Sequence, residues 1–525
     1  MSGRVHTQEE KASAKNGILR VVFVVIAFVI EAILIAELFS FLGEYSGTIA
    51  ILARVAAAIL VIGIYSQKKS GSIKIPWIIL IMAFPVIGVF LYLFIGLSGS
   101  TKRMKRRYEQ IDEILFPCLK QDPDTLKELE ERHISCGGMA RYLLEQAGYP
   151  VYRNTSVTYY DDAAKGLEAQ KLALSNAQKF IFMEYFAIED AASWSEVFHI
   201  LKQKVKEGVE VRVFYDDLGS IGFINLDFAK RLQEAGIQCR PFNPMTPIFN
   251  LFLNNRDHRK MTIIDGRIGF TGGYNMADEY FNLVSPFGHW KDTGIRLEGE
   301  AVRAMTATFL EMWNAVRDDD ANDADPTIFL ADELTGHGDK SAEPGFVQFY
   351  ADTPMDKKLV GEDLYILMIN RAQRYLYIMT PYLIITDEMV RALNLAARRG
   401  VDVRLVTPGI PDKKLVYQLT RSYYPQLASD GVRIYEYTPG FCHAKMTVAD
   451  DHVATCGTIN FDYRSLYHHF ENGCFMVDCA AIDDMKKDFE AVFPQCNEVT
   501  QKYASGRSAY LRVIQVILRL FSPLM

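Results

Sequence analysis

DHRKMTIID (257–265) and CHAKMTVAD (442–450) are two copies of one pattern, His-x-Lys-x-x-x-x-Asp, with His258 and His443 lying 185 residues apart. The agreement runs past the core. Each histidine is followed 14 residues later by glycine (Gly272, Gly457) and 17 later by asparagine (Asn275, Asn460). Five identities at five shared offsets mark an internal duplication. Within each copy the HxK spacing sets imidazole and ammonium on one face of a strand. If the halves pack about a pseudo-twofold axis, one cleft receives two His, two Lys and two Asn, a set suited to a phosphate diester.

Direct attack on a diester is slow because negative oxygens shield the phosphorus. Two in-line steps through a covalent histidine intermediate lower each barrier. One imidazole must then be neutral to attack, and the other protonated to serve the leaving alkoxide. His258 and His443 supply that pair. Lys260 and Lys445 would hold the non-bridging oxygens and stabilise the five-coordinate charge, with Asn275, Asn460 and Thr458 as further donors. A carboxylate on the far nitrogen of each ring would fix tautomer and direction. Asp265 and Asp450 complete the candidate catalytic set. No metal or other cofactor is implied, since lysines stand where a divalent ion would otherwise neutralise charge.

Around the motifs, strand and helix signals alternate. KFIFMEYFAI (179–188), VEVRVFYDD (209–217), RYLYIMTPYLII (374–385) and VDVRLVTP (401–408) read as strands. Helical runs end near 207 and cover 227–236 and 387–399. This order, repeated, predicts an α/β fold with sheets covered by helices. The halves are placed at 146–335 and 340–500, joined through 331–345, with a charged connecting segment at 101–145.

The first 100 residues differ in kind. Apolar runs at 19–43, 47–65 and 76–98 suggest two or three transmembrane helices. Trp77 and Tyr92 suit interfacial anchoring in the third run. Glu31, Glu37 and Arg54 are costly in lipid, and a hairpin would pair Glu37 with Arg54. Pro85 either kinks the third run or divides it into two half-helices within one leaflet. The basic clusters at 4–20 and 102–107 satisfy a common side if only two runs span. These features point to a multi-pass cell-membrane protein, with a slight lean toward a cytoplasmic catalytic region. Near the C-terminus, 505–525 reads as an amphipathic helix that either lies in the membrane interface or docks on the protein. MTPIFNLFLNN (245–255) is either apolar wall for the cleft or a buried strand.

The chain has 525 residues and a net charge of −7. That balance, without a basic stretch interleaved with aromatics, argues against a nucleic-acid partner. Eight cysteines show no CxxC pair or metal-ligand spacing and read as scattered buried thiols, consistent with a reducing compartment.

RDHRKMTIIDGRIGFTGGYNMADEY and GFCHAKMTVADDHVATCGTINFDYRSLYHHFENG resemble the HKD motifs of the phospholipase D superfamily, and most closely its bacterial cardiolipin synthases. YDDLGS (215–220), TPYLIITDEM (380–389), the run beginning PWIILIMAFPVIGVF and the terminal LRLFSPLM resemble that family as well. The resemblance implies two duplicated phospholipase D-like α/β sandwich halves. It implies a phosphatidyl group passed from one phosphatidylglycerol to another through a phosphohistidine, with release of glycerol. The alternative is a hydrolytic phospholipase D, or transfer to another alcohol. By the same resemblance His258 is the nucleophile and His443 the acid/base. Glu471 matches a glutamate that orients imidazole, Asp292 its counterpart after a small insertion, and Asp265 and Asp450 could instead organise loops.

Overall fold

The computed structural model describes residues 46–68, 70–93, 102–244, 255–317, 322–331, 345–356, 358–505, 518–519 and 522. The apolar run 19–43, and with it the Glu37–Arg54 pairing, lies outside the described residues, as do 245–254 and nearly all of the 331–345 junction.

The first half contributes β1 (Thr155–Tyr160), β2 (Phe180–Tyr185), β3 (Glu210–Asp216), β4 (Gln238–Phe242), β5 (Arg256–Asp257), β6 (Lys260–Ile264), β7 (Ile268–Gly272), β8 (His289–Lys291) and β9 (Gly294–Gly299). The second contributes β10 (Phe346–Asp352), β11 (Tyr375–Met379), β12 (Leu383–Ile384), β13 (Asp402–Pro408), β14 (Arg433–Tyr437), β15 (Gly440–Cys442), β16 (Met446–Ala449), β17 (Val453–Gly457), β18 (Phe461–Asp462), β19 (His469–Val477) and β20 (Cys496–Glu498). The large sheets run β1-β9-β7-β6-β2-β3-β4 and β10-β19-β17-β16-β11-β13-β14-β20. Strand for strand the second repeats the first and adds β20. In each, a parallel trio (β2, β3, β4 or β11, β13, β14) adjoins an antiparallel block. The duplication read from a few motif residues therefore extends through the whole topology.

Central strands covered on both faces are near-continuous apolar runs. Every residue of β2 and β11 is buried. Helix Val302–Val316 is buried almost all round, as befits an element enclosed by protein on every side. Arg107, from the connecting segment, reaches the carbonyls at that helix's C-terminal end, Ala315 (2.8 Å) and Val316 (3.0 Å). Those carbonyls lack intrahelical partners, and a cation there also opposes the helix dipole. Helix Ala480–Val492 ties the halves from the other side. Its Asp488 accepts from Tyr159 Oη (2.6 Å) and Lys291 Nζ (2.8 Å) of the first half.

In the N-terminal region the third apolar run is two short helices, Gly71–Ala83 and Pro85–Leu91. Phe84 leaves the helical region (φ −134°, ψ 74°) ahead of Pro85, as the residue before a proline tends to do. The two pieces pack closely at Gly88, where a Cβ would lie 2.6 Å from Ile81 Cα. Neither piece, at roughly 20 and 10 Å, spans the ~30 Å hydrocarbon core. Helix Ser46–Tyr65 exposes Ile51, Leu52, Val55, Ile59 and Ile62. Among the described residues no helix is long and apolar enough to cross a membrane. This helical group touches the catalytic region. Ser70 Oγ donates to Glu388 (2.8 Å), and Ser72 Oγ accepts from the Asp387 amide (3.1 Å).

Of the C-terminal segment, Arg519 donates to Ser422 Oγ (3.1 Å) and lies 4.2 Å over the Tyr423 ring. This arginine docks on helix Lys414–Ala428, as the docking alternative expects. All eight cysteines are free thiols; Cys118 and Cys496 are half-buried and the other six buried.

Candidate active site

Two very short strands build the site by crossing between the halves. β5, just ahead of His258, pairs with the start of β19, matching Arg256 to His469 and Asp257 to Phe470. β15, just ahead of His443, pairs with β8, matching Cys442 to Lys291. The His258 amide donates to the Phe470 carbonyl (2.9 Å) and the His443 amide to the Lys291 carbonyl (2.7 Å). Each histidine is thus pinned by backbone of the opposite half.

The carboxylates follow the same exchange. His258 Nδ1 lies 2.9 and 3.0 Å from the two Glu471 oxygens. His443 Nδ1 lies 2.7 Å from Asp292 Oδ2. With Nδ1 engaged, Nε2 is the nitrogen of each ring left for chemistry. All four side chains are buried. Aromatic walls flank them: Phe186 edge-on to His258 at 5.1 Å, Tyr280 and Trp290 at 5.2 and 5.3 Å from His443. The resemblance named these acids; the swap between halves is visible only in the structure.

Glu471 and Asp292 hold equivalent places, each two residues ahead of a glycine (Gly473, Gly294) that packs against Gly457 or Gly272. Their supports differ. Thr458 Oγ1 donates to Glu471 Oε2 (2.5 Å) and accepts from the Asn472 amide (2.9 Å). The residue in Thr458's place in the first half is Gly273, where a Cβ would lie 2.0 Å from Asp292 Oδ1. Only glycine leaves room for that carboxylate.

Lys260 Nζ donates to the His258 carbonyl (2.6 Å), while Lys445 Nζ donates to the His443 carbonyl (2.5 Å) and lies 2.9 Å from both nitrogens of that ring. Both lysines are 1% exposed, so desolvation drives them toward neutrality. Burial lowers Lys260 to about 7 and Lys445 to about 8, against the pull of Glu471 and Asp292. Burial, then the neighbouring Lys260, His469, Lys445 and His443, push His258 well below its usual range. Burial and Lys445 bring His443 to about 4 although Asp292 pulls it up. The two histidines and two lysines of opposite halves therefore act on one another as a single electrostatic unit. Burial lifts Glu471 well above the carboxylate range. It acts on Asp292 too, but His443 and Lys445 outweigh it and hold that carboxyl low. The halves match in shape and differ in charge.

Asn460 is buried, and its Oδ1 has no hydrogen-bond partner among the described residues. Asn275 is spent on the fold instead: Oδ1 accepts from the Ala187 amide (3.1 Å) and Nδ2 donates to Tyr280 Oη (2.7 Å). Thr458 serves Glu471 directly and is not presented as a donor to a phosphate. Asp265 and Asp450 stand apart from the histidines. Asp265 accepts from the amides of Gln178 (2.8 Å), Lys179 (2.6 Å) and Phe180 (3.0 Å). Asp450 does the same for Gln373 (2.8 Å), Arg374 (2.7 Å) and Tyr375 (3.0 Å). Both have φ of 56°, a left-handed turn that Asp tolerates better than most residues. Each sits at the far end of the strand that begins beside its HxK, roughly 13 Å of strand away. The motif aspartates tie β2 and β11 to their hairpins, which matches the loop-organising alternative.

A consequence is testable. Asp265→Ala and Asp450→Ala are each expected to cost about 2–4 kcal/mol, from lost charge-assisted bonds to three amides and a left-handed alanine. Chemical denaturation should register that loss while kcat changes less than tenfold at a temperature where the variant is folded.

His469 was missed by sequence reasoning. Its ring centroid is 5.5 Å from that of His258, and its Nδ1 is 3.6 Å from Glu471 Oε1. The doubled histidine in YHHFENG was the available signal.

A family model described as cardiolipin synthase, phospholipase D-like domain, matches residues 171–313 and 365–493. A second, described as phospholipase D-nuclease N-terminal, matches 52–96. A cardiolipin synthase of Halalkalibacterium halodurans is 31% identical over 489 residues, covering 92% of this chain and 95% of that one. Cardiolipin synthase 2 of Bacillus cereus is 33% identical over 463 residues, covering 88% of each. An uncharacterized protein of Streptococcus mutans is 42% identical over 460 residues, 88% of this chain and 98% of its own. Among solved structures, phosphatidylserine synthase of Haemophilus influenzae aligns with a TM-score of 0.55 at 14% identity, covering 74% of this chain and 97% of that one; this likeness is one of fold.

Proposed function

The chain belongs to the cardiolipin synthase family with phospholipase D-like domains and is a phosphatidyltransferase, and from this we propose that it joins two phosphatidylglycerol molecules into cardiolipin, releasing glycerol through a phosphohistidine. The observation that supports the proposal is the exchanged pair of His–carboxylate couples, in which each ring spends Nδ1 on an acid and keeps Nε2 clear of it.

His258 Nε2 attacks the phosphorus of the first phosphatidylglycerol and forms a P–N bond. The bond to the headgroup glycerol oxygen breaks, and His443 gives that oxygen its proton. The second phosphatidylglycerol then enters. His443 takes the proton of its free hydroxyl, the oxygen attacks phosphorus, and the P–N bond breaks to restore His258. One diester replaces another, so no nucleotide is consumed. Glu471 balances the charge that His258 acquires on modification. The bound anion raises Lys260, Lys445 and His443 together, because an opposite charge favours each protonated form. Lys445, within 2.9 Å of the His443 ring, is the nearest source of the proton His443 needs. Water would divert the intermediate, and the buried, aromatic-lined setting of both histidines favours the lipid hydroxyl.

The exposed apolar side chains of helices 46–65 and 71–83 support contact with lipid. We place the protein at the cell membrane, held there through its N-terminal region. The basic cluster at 102–107 and the free thiols support a cytoplasmic catalytic region. Purified protein supplied with phosphatidylglycerol should yield cardiolipin and glycerol in equal amounts. Phosphatidic acid as the main product would make it a hydrolase instead.

The lysine shifts set a pH dependence. In the free enzyme Lys260 and Lys445 lose their protons near 7 and 8, so kcat/KM should fall as pH rises through that window. The bound anion holds the protons on, so kcat should fall only at higher pH. Lys260→Arg, whose charge does not titrate, should move the kcat/KM limb upward. A limb that stays in place with arginine would assign it to another group.

A further inference from the structure

One polar group beside the nucleophile has no part in the chemistry above. His469 keeps 9% of its side chain exposed, and neither of its buried ring nitrogens has a hydrogen-bond partner among the described residues. Across the β5–β19 ladder it faces Arg256. That guanidinium binds Asp216 through Nε (2.9 Å) and Nη2 (2.6 Å), leaving Nη1 buried and likewise without a partner among the described residues. Paired residues of a ladder share a face, and i, i+2 along a strand do too. Arg256, His469 and Glu471 therefore line the same side, the side on which His258 stands. Buried polar groups in native proteins are nearly always satisfied, and leaving one bare costs stability. Bare nitrogens flanking a nucleophile point to a ligand.

In-line geometry tells which part of the ligand. The departing alcohol lies opposite the attacking nitrogen, on the His443 side. The non-bridging oxygens belong to Lys260 and Lys445. What remains lateral to His258 is the substituent that never leaves phosphorus, the diacylglycerol, whose nearest oxygens are those of its acyl esters. Esters accept hydrogen bonds and donate none, which matches the N–H of Arg256 Nη1 and of a neutral His469. Burial, Arg464, His468, Arg256 and Lys260 all hold His469 in that neutral form. We propose that His469 and the free Nη1 of Arg256 form a subsite for the glycerol-ester oxygens of the phosphatidyl group, fixing the donor lipid on His258. The proposal rests on His258 being the nucleophile.

The test compares two donors, diacyl phosphatidylglycerol and its fully deacylated counterpart glycerophosphoglycerol, in wild type, His469→Ala and His469→Gln. Headgroup release and covalent labelling of the enzyme are both measured. With the diacyl lipid, His469→Ala should raise KM roughly 10- to 100-fold, the range lost with a buried hydrogen bond, and change kcat little. His469→Gln, which keeps an N–H donor, should recover most of that. With glycerophosphoglycerol all three proteins should perform alike, which also shows that the variants fold. Equal losses on both donors, or a loss confined to kcat, would overturn the subsite. So would wild-type activity abolished by a chelator and restored by Zn2+, since His258, His469 and Glu471 are close enough to hold a metal ion together. A wild type that releases headgroup but makes no cardiolipin would sink the synthase reading alone and leave the donor comparison intact.

Discussion

His258→Ala is expected to lower turnover by roughly 10⁴-fold or more, as loss of a covalent nucleophile does, and to abolish labelling of the enzyme by a lipid carrying ³²P. His443→Ala should lower turnover comparably with phosphatidylglycerol, yet behave differently toward an activated donor. When the leaving group is a nitrophenolate it departs without a proton, so His258 can still attack. The His443→Ala protein should then release one equivalent of nitrophenol and hold the label, because nothing remains to activate the incoming hydroxyl. Acid-labile, base-stable radioactivity mapped to His258 is the expected signature. The two histidines resemble each other in burial and in having a carboxylate on Nδ1, so geometry alone does not rank them. Charge does. Burial holds both rings toward the neutral form, but their acids differ: His258 faces a Glu471 that burial lifts, whereas His443 faces an Asp292 whose carboxyl is held low. A neutral ring suits attack, and a ring beside a fixed negative charge suits carrying a proton. Label on His443 in a His258→Ala protein would reverse both roles and take the donor subsite with it.

Much of this site was legible in the chain because its signals are local. HxK needs only strand periodicity to bring His and Lys together, and β2 and β11 (FIFMEY and YLYIM) are nearly continuous apolar runs. What stayed hidden was set by contacts between distant residues. β5 and β15 are two and three residues long, too short to show any pattern, and they decide which carboxylate meets which histidine. Counting offsets within a half cannot reveal an exchange between halves. Asp265 and Asp450 could be read in two ways for a different reason: their regular spacing reflects a turn that both hairpins need, and a repeated structural demand looks the same in sequence as a repeated catalytic one. Asn275 followed the same logic, with one copy absorbed by the Ala187 amide and Tyr280 while Asn460 Oδ1 has no partner among the described residues. In the third apolar run, hydropathy counted enough residues for a span, but Pro85 and the close approach at Gly88 fold it back on itself.

The exchange of carboxylates makes the last prediction specific. Removing either acid strips an imidazole of the group that fixes its tautomer and balances its charge, a loss on the order of 10³–10⁴-fold by analogy with the serine-protease triad aspartate. Glu471→Ala and Asp292→Ala should both fall in that range with phosphatidylglycerol. They should separate with the nitrophenyl donor. Asp292 acts on His443, whose proton that donor does not need, so Asp292→Ala should recover a near-normal first step and stall afterwards. Glu471 acts on His258, so Glu471→Ala should stay slow in the first step whatever the leaving group. Had each histidine used the acid of its own half, the pattern would be the reverse, with Asp292→Ala failing in the first step and Glu471→Ala passing it. The Thr458 hydroxyl offers an internal control, because it touches Glu471 and not Asp292. Thr458→Val should weaken only the first step, and by less than Glu471→Ala, since it removes one hydrogen bond from a carboxylate that remains in place.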